Sequence, residues 1–151
     1  MGMFIYGKTA ANAIAVMSYL AADPTRRSGS AEIAEARGIS RALTAKLLTQ
    51  LAAADFVSGQ PGPGGGYTLA KPADTICLLD IASLFEQTSS NSNCPFGNDW
   101  CGVGDPCPLH DTISGMITSN QCFMEKTTLA VFVGKEPTKV GKAIQKESAQ
   151  N

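Results

Sequence analysis

The N-terminal third of the chain alternates between apolar residues at helical spacing and short polar breaks. Its first segment predicts an amphipathic helix, because apolar residues recur there every three or four positions. These residues are Ile14, Met17, Leu20 and Ala21. The segment also fits the apolar stretch of a signal peptide, with Lys8 before it and two alanines at its end. We favour the helix, because one lysine makes a poor basic region for a signal peptide.

Two further helices are predicted on either side of a tight turn. Ser30 can cap the first of them, and Gly38 stands where a helix commonly ends in a left-handed residue. Ser40 can cap the second helix, residues 41–54, whose leucines follow the 3.6-residue period. This order is typical of a helix-turn-helix motif, and the alternative is an ordinary pair of short helices in an all-α domain.

A β-hairpin is predicted directly after these helices. Strand-forming residues at 56–57 and 67–69 flank a loop rich in glycine and proline. A phosphate-binding P-loop is excluded, because its glycines open a helix with Gly-Lys-Ser/Thr, whereas these glycines lead into a strand. A hairpin that follows a helix-turn-helix is the wing of a winged-helix domain. Its glycines allow a tight turn and a close approach to a nucleic-acid backbone.

The second half of the chain predicts two more helices around a polar, cysteine-containing loop. One helix is expected to start at Asp74, and a longer one is expected over roughly Pro108 to Phe132. The apolar stripe of the long helix needs a partner, and a second copy of the chain is the economical one.

The expected fold class is therefore mainly α with a small β-hairpin wing, a winged helix-turn-helix domain plus a long dimerisation helix. The expected parts are a DNA-binding domain over 1–87, a cysteine-rich loop over 88–110, a dimerisation helix over 108–133 and a flexible tail over 134–151.

Composition and charge narrow the class of protein. The chain has 151 residues, of which 44% are hydrophobic and 17% charged, which excludes wholesale disorder. Residues 1–72 carry a net charge of +3 and residues 73–151 a net charge of −4, so a polyanionic partner is expected to meet the first half. The uncharged segment from Thr9 to Ala22 has 14 residues, short of the roughly 20 that a membrane span needs. We expect no membrane association and a cytoplasmic location, since five cysteines would leave one unpaired in an oxidised chain.

Three cysteines and the only histidine form the chemical feature of the sequence. They are Cys94, Cys101, Cys107 and His110. The loop between the first and last cysteine is polar and rich in glycine and proline, so its backbone can fold round a small centre with the thiolates inward. Soft thiolates select zinc or iron–sulfur clusters, and we expect a metal centre here. For His110 the alternative is a solvent-facing residue at a helix start. Cys77 is expected in the core and Cys122 in a structural role.

The spacing of the cysteines and the histidine does not by itself identify the metal. The pattern C-x6-C-x5-C-x2-H lies near the C-x8-C-x5-C-x3-H of RNA-binding zinc fingers, with Phe96 and Trp100 available to stack bases. However, residues 86–124 contain no lysine or arginine. An anionic thiolate centre tolerates that composition better than an RNA-binding surface does.

The combined motifs resemble the IscR/NsrR family of bacterial iron–sulfur transcription regulators. The similarity lies in the wing sequence Gly-Pro-Gly-Gly-Gly-Tyr at 62–67, in Leu-Ala-Lys-Pro at 69–72, and in the three-cysteine loop before a long helix. The segments at 31–34, 38–40 and 78–81 are also similar. The chain departs from the family in a first cysteine gap one residue longer, in Pro61 where a basic wing residue is usual, and in Asn12 and Ala15 of the first helix.

The resemblance implies a homodimer that binds double-stranded operator DNA under the control of an iron–sulfur cluster. By that similarity Cys94, Cys101 and Cys107 are the cysteine ligands. His110 matches the histidine that completes the cluster in one branch of the family, which favours a 2Fe-2S cluster, with 4Fe-4S as the other type. Other branches use an acidic residue near the partner's N-terminus, and this sequence has none before Asp23.

The residues expected at DNA follow from the helix-turn-helix and the wing. Those of the second helix are Ser40, Arg41, Thr44 and Lys46, and those of the wing are Gln60, Gly64 and Gly65. The alternative functions are a cluster-free regulator that senses thiol oxidation or a small molecule, and a zinc-stabilised nucleic-acid-binding protein. An enzyme is not expected, because the sequence offers no nucleophile–base pair and no paired carboxylates.

Overall fold

The computed structural model describes residues 7–86 and 107–135. Its α-helices are α1 (Lys8–Ala22), α2 (Ser30–Arg37), α3 (Arg41–Ala53), α4 (Leu78–Phe85) and α5 (His110–Lys126), and its strands are β1 (Val57–Gln60) and β2 (Gly66–Leu69). Short 3₁₀ turns lie at Ala73–Thr75 and Leu129–Phe132. The mainly helical class with a two-stranded antiparallel wing is confirmed. The expected boundaries between the four parts of the chain stay predictions.

Helix α1 lies at the centre of the core. Its small residues Ala10 and Ala13 are fully buried, which lets neighbouring helices approach closely, and Met17 fills the space beside them. The other buried side chains come from every part of the fold. They include Ile33, Leu47, Leu48, Leu51, Ile81 and Leu129. The first segment is therefore a structural helix of this fold, as its apolar spacing predicts.

The turn between α2 and α3 has the predicted geometry. Gly38 adopts a left-handed conformation with φ 63° and ψ 31°, and its N–H donates to the carbonyls at the end of α2. The cap predicted at the start of α2 is wrong. Gly29 occupies the N-cap position there and Ser30 is the first helical residue, so the Ser30 hydroxyl does not form the predicted cap. The N-cap of α2 thus lies one residue earlier than predicted, a difference that sequence spacing alone does not resolve.

The wing pairs in a simple antiparallel register from Val57 with Leu69 to Gln60 with Gly66. A third extended segment joins it, because Ser28 and Tyr67 exchange backbone hydrogen bonds of 3.0 and 2.8 Å. The loop between α1 and α2 is thereby fixed to β2, on the side of β2 away from β1. The glycine run leads into β2, in agreement with the rejection of a P-loop.

Two predicted helices begin or end differently in the structure. Asp74 lies in a 3₁₀ turn, and α4 starts only at Leu78. The long helix ends at Lys126 instead of Phe132, because backbone pairing draws the next residues into an extended conformation. Leu78 N–H donates to the Thr127 carbonyl at 2.9 Å, and Leu129 N–H donates to the Ile76 carbonyl at 3.0 Å. Among the helices that the structure describes, none has the length and apolarity to cross a membrane.

Candidate DNA interface and metal ligands

One face of α3 is exposed and free of large apolar side chains. The exposed positions are Arg41, Ala42, Ala45, Lys46, Thr49, Gln50 and Ala53. The opposite face carries Leu47, Leu48 and Leu51, all fully buried. The structure therefore places Arg41 and Lys46 together on the solvent side, as the sequence predicts. The alanines, Thr49 and Gln50 are not among the predicted contact residues, although the 3.6-residue period already puts them on the side away from the buried leucines.

Thr44 does not belong to this exposed face. It is fully buried, and its hydroxyl donates to the Ser40 carbonyl at 3.0 Å. The predicted contact of Thr44 with DNA is incompatible with this position, since its polar atom is used inside the helix and its surface is covered. Thr44 instead shares the inner face of α3 with Leu48 and Leu51.

Ser40 caps α3 as predicted. Its hydroxyl oxygen accepts a hydrogen bond from the Leu43 N–H at 3.2 Å, and the residue is exposed. A serine cap satisfies one of the amide groups that a helix start leaves without a partner. Ser40 therefore fixes the first turn of α3, in which Arg41 lies.

We expect Ser40→Ala to destabilise the protein by about 1 kcal/mol, the usual cost of losing such a cap. Thermal unfolding followed by circular dichroism measures this loss. Ser40→Asp keeps an acceptor at the same position and should retain the wild-type midpoint. Equal midpoints for wild type and Ser40→Ala would show that the hydroxyl does not stabilise α3.

The tip of the wing is a glycine turn that requires the absence of side chains. Gly62 and Gly64 have φ values of +90° and +74°, which favour glycine. At Gly65 the restriction is steric, because a Cβ would lie 2.1 Å from the Gln60 carbonyl oxygen. The Gly65 N–H donates to the Gly62 carbonyl at 3.0 Å and closes the turn. Gln60 and the glycines thus present backbone and one amide side chain to solvent.

A polar network joins α1, α2 and the loop between them. The Tyr19 hydroxyl donates to Glu32 Oε1 at 2.8 Å, and Arg26 Nη1 lies 2.6 Å from the same oxygen. Burial raises the pKa of Glu32, but the hydrogen bonds from Tyr19 and Arg26 outweigh it, so the pKa of Glu32 is lowered. Burial raises the pKa of Tyr19, and its bond to Glu32 adds to that shift. The Arg37 guanidinium lies 5.7 Å from the Tyr19 ring centre and donates to Ser18 at 2.8 Å.

Only two of the four predicted metal ligands lie among the residues that the structure describes. Cys94 and Cys101 lie outside the described residues. Cys107 and His110 are half-buried at the start of α5, where the His110 N–H donates to the Cys107 carbonyl at 3.0 Å. The structure thus places these two predicted ligands in the hydrogen-bonded turn that leads into α5. Within residues 7–86 and 107–135, no group of three or more histidine, cysteine or acidic residues is arranged to hold a metal.

The two other cysteines lie apart from this segment in sequence. Cys77 is half-buried at the N-cap of α4 instead of in the core, where its thiol accepts from the Asp80 N–H and its own N–H donates to Asp80 Oδ2 at 3.2 Å. Burial raises the pKa of the Cys77 thiol, and the hydrogen bond with Asp80 adds to that shift. A thiol of this kind is a poor nucleophile and metal ligand, because less of it is thiolate. Cys122 is half-buried in α5.

Comparison with known proteins supports the same architecture. A putative transcriptional regulator of the helix-turn-helix type from Aquifex aeolicus is 29% identical over 87% of this chain and 93% of its own length. The regulator IscR of Sodalis glossinidius is 30% identical over 70% of this chain, and the match spans 64% of that longer protein. In fold, the chain is similar to CymR, the global cysteine regulator of Bacillus subtilis, with a TM-score of 0.68 at 21% identity, over 87% of this chain and 99% of CymR.

A family model described as an iron-dependent transcriptional regulator matches residues 6–135. This range contains all five described helices, the wing and the three-cysteine segment. The resemblance seen in the sequence is confirmed by this match. The chain belongs to the Rrf2 family of winged-helix transcriptional regulators.

Proposed function

We propose that this protein is a dimeric, operator-binding regulator whose affinity for DNA is controlled by an iron–sulfur cluster. The observation that carries the proposal is the exposed face of α3, which offers Arg41 and Lys46 on a helix-turn-helix that is followed by a glycine wing. Membership of the Rrf2 family supports it. The proposed location is the cytoplasm, because a regulator that binds operator DNA acts on the chromosome.

DNA recognition in this proposal uses α3 and the wing together. Arg41 and Lys46 project from the exposed face of α3 and reach bases or phosphates in the major groove, while Ser40 holds the first turn in place. Gln60, Gly64 and Gly65 form the part of the wing that follows the adjacent backbone. In a dimer, the two α3 helices would then enter major grooves that lie one helical turn apart, about 34 Å along the DNA.

The donor set fits an iron–sulfur cluster. Three thiols and one imidazole in a short segment match the ligands that such clusters use, and two of them, Cys107 and His110, lie in the hydrogen-bonded turn that leads into α5. Cys94 and Cys101 supply the other donors. With His110 as the fourth ligand, the proposed cluster is of the 2Fe-2S type, and a 4Fe-4S cluster is the alternative. The cluster would supply a redox-active, iron-dependent centre that is lost or altered when iron, oxygen or nitric oxide changes.

Helix α5 connects the ligand segment to the DNA-binding part of the chain. It begins at His110, directly after the turn that carries Cys107, and its last turn places Met124 in the core, only 2% exposed. Beyond α5, the Thr127 carbonyl and the Leu129 N–H are hydrogen-bonded to the segment before α4. A shift at the start of α5 can therefore reach α4 and, through it, α1, which packs against α3. This is the route by which the state of the ligand segment changes the position of α3.

The experiment that tests the proposal is an anaerobic purification, with a visible spectrum and with iron, sulfide and zinc analysis on the same sample. We expect a brown protein with matching amounts of iron and sulfide. Cys107→Ser should remove the colour, whereas Cys122→Ser, a matched thiol later in α5, should keep it. A colourless protein with one zinc per chain would contradict the cluster and favour a structural zinc site. A colourless, metal-free protein would leave a thiol- or ligand-responsive regulator.

The DNA arm of the same experiment uses an operator selected from a random DNA library. We expect Arg41→Ala to abolish binding to the selected operator and to leave the visible spectrum unchanged. Survival of operator affinity in this variant would show that α3 is not the recognition helix. The spectrum is the control for an intact ligand segment, and circular dichroism is the control for folding.

A further inference from the structure

The wing has no positive charge of its own. Residues 57–69, which form both strands and the turn, contain no lysine or arginine. A protein segment that lies along DNA gains most of its affinity from cations that neutralise phosphates. Any such charge beside the wing must come from a segment that packs against it.

The loop between α1 and α2 is that segment. The paired backbone hydrogen bonds between Ser28 and Tyr67 align it with β2, and the Thr68 hydroxyl donates to the Pro24 carbonyl at 3.0 Å. The approach is so close that a Cβ on Gly66 would lie 2.9 Å from the Ser28 carbonyl carbon. Arg27 directly precedes Ser28, so it is held beside β2 at the base of the wing turn.

The two neighbouring arginines of this loop have different surroundings. The Arg26 guanidinium forms an ion pair with Glu32, within the network that joins α1 to α2. Arg27 is exposed, and within residues 7–86 and 107–135 it has no hydrogen bond or ion pair. Lys71, which follows β2, has its ammonium group 5.1 Å from the Phe56 ring centre. Of these three cations, Arg27 is the one whose charge is not already used inside the protein.

We propose that Arg27 contacts a DNA phosphate next to the wing and supplies the charge that the wing lacks. The inference rests on the DNA binding proposed above. A guanidinium can donate two parallel hydrogen bonds to phosphate oxygens, which makes Arg27 an anchor for the wing. Such a contact fixes the position of the protein on the duplex and carries no sequence information.

The test measures binding to a fluorescently labelled DNA duplex of random sequence over a range of salt concentrations. Binding of that kind depends on phosphate contacts, so the slope of log affinity against log salt reports their number. We expect Arg27→Ala to weaken binding several-fold at low salt and to reduce the slope by about one per bound subunit. Arg27→Lys keeps the charge and should restore the slope.

Arg26→Ala is the matched control, because it removes the same charge one residue earlier. It should keep the wild-type slope, although the loss of its ion pair with Glu32 lowers the thermal midpoint. A wild-type slope in both Arg27→Ala and Arg27→Gln would overturn the inference. So would an equal loss in Arg26→Ala, since net charge alone would then explain the effect. Failure of the wild-type protein to bind any duplex would instead contradict the proposed function.

Discussion

Gly65→Ala is expected to lower operator affinity about tenfold or more, a change of at least about 1.4 kcal/mol. A Cβ at this position would lie 2.1 Å from the Gln60 carbonyl oxygen and 2.8 Å from that of Gly62. Both are backbone atoms and cannot rotate aside as a side chain can. The alanine therefore forces the turn open and moves Gln60 and Gly64, which we propose to lie on the DNA backbone. Fluorescence anisotropy with the selected operator measures the loss.

The rest of the fold should tolerate this change. The base of the wing is held by the register from Val57 to Leu69 and by the hydrogen bonds between Ser28 and Tyr67. We expect an unchanged circular dichroism spectrum and a small decrease in thermal midpoint. Gly29→Ala is the matched control and should keep operator affinity, because a Cβ on Gly29 meets open space, its φ of −73° suits alanine, and the residue lies outside the wing. Full affinity in Gly65→Ala would show that the wing turn does not contact DNA.

The helix-turn-helix and the wing were predictable because their determinants are local. The cap of α3 by Ser40 and the left-handed Gly38 each depend on residues within a few positions. The predicted DNA contact of Thr44 is wrong because it rests on residue type and not on position in the helix. Thr44 is polar, but the 3.6-residue period places it with Leu48 and Leu51 on the buried face of α3.

The end of the long helix was not predictable from its own residues. Periodicity continues through Phe132, but the Thr127 carbonyl accepts from the Leu78 N–H and the Leu129 N–H donates to the Ile76 carbonyl, and this pairing interrupts the helix. Those partners are about fifty residues earlier in the chain, and helical spacing contains no information about them. The same pairing explains Cys77. It forms a bridge opposite Thr128 and caps α4, a position that an apolar sequence context does not reveal.

Sequence and structure give different information about the candidate metal ligands. The sequence supplies the donor types and their spacing, Cys94, Cys101, Cys107 and His110. The structure adds that Cys107 and His110 share the turn that leads into α5 and that the far end of this helix is fixed in the core. These two candidate ligands therefore lie at one end of a helix whose other end packs against the winged-helix domain.

Ile117→Asp is expected to convert the proposed dimer to monomers and to raise its dissociation constant by roughly a hundredfold, about 3 kcal/mol. Helix α5 exposes a row of large apolar side chains at helical spacing. These are Leu109, Met116, Ile117 and Phe123, exposed by 44%, 52%, 39% and 57%. Large exposed apolar faces are typical of protein interfaces. A carboxylate on such a face costs several kcal/mol when a second copy covers it, because it loses its water without gaining a partner. Sedimentation analysis measures the oligomeric state.

Thr118→Asp is the control for this substitution. Thr118 is exposed on the same helix and lies about 140° or more around its axis from Leu109, Met116 and Phe123, so the added charge should leave the dimer intact. Because we propose that an operator is bound by two α3 helices at once, Ile117→Asp should also lose most of its operator affinity, whereas Thr118→Asp should keep it. A dimer that persists in Ile117→Asp would exclude this face as the interface. A wild-type protein that sediments as a monomer would exclude the dimer itself, and operator binding would then require two independent chains.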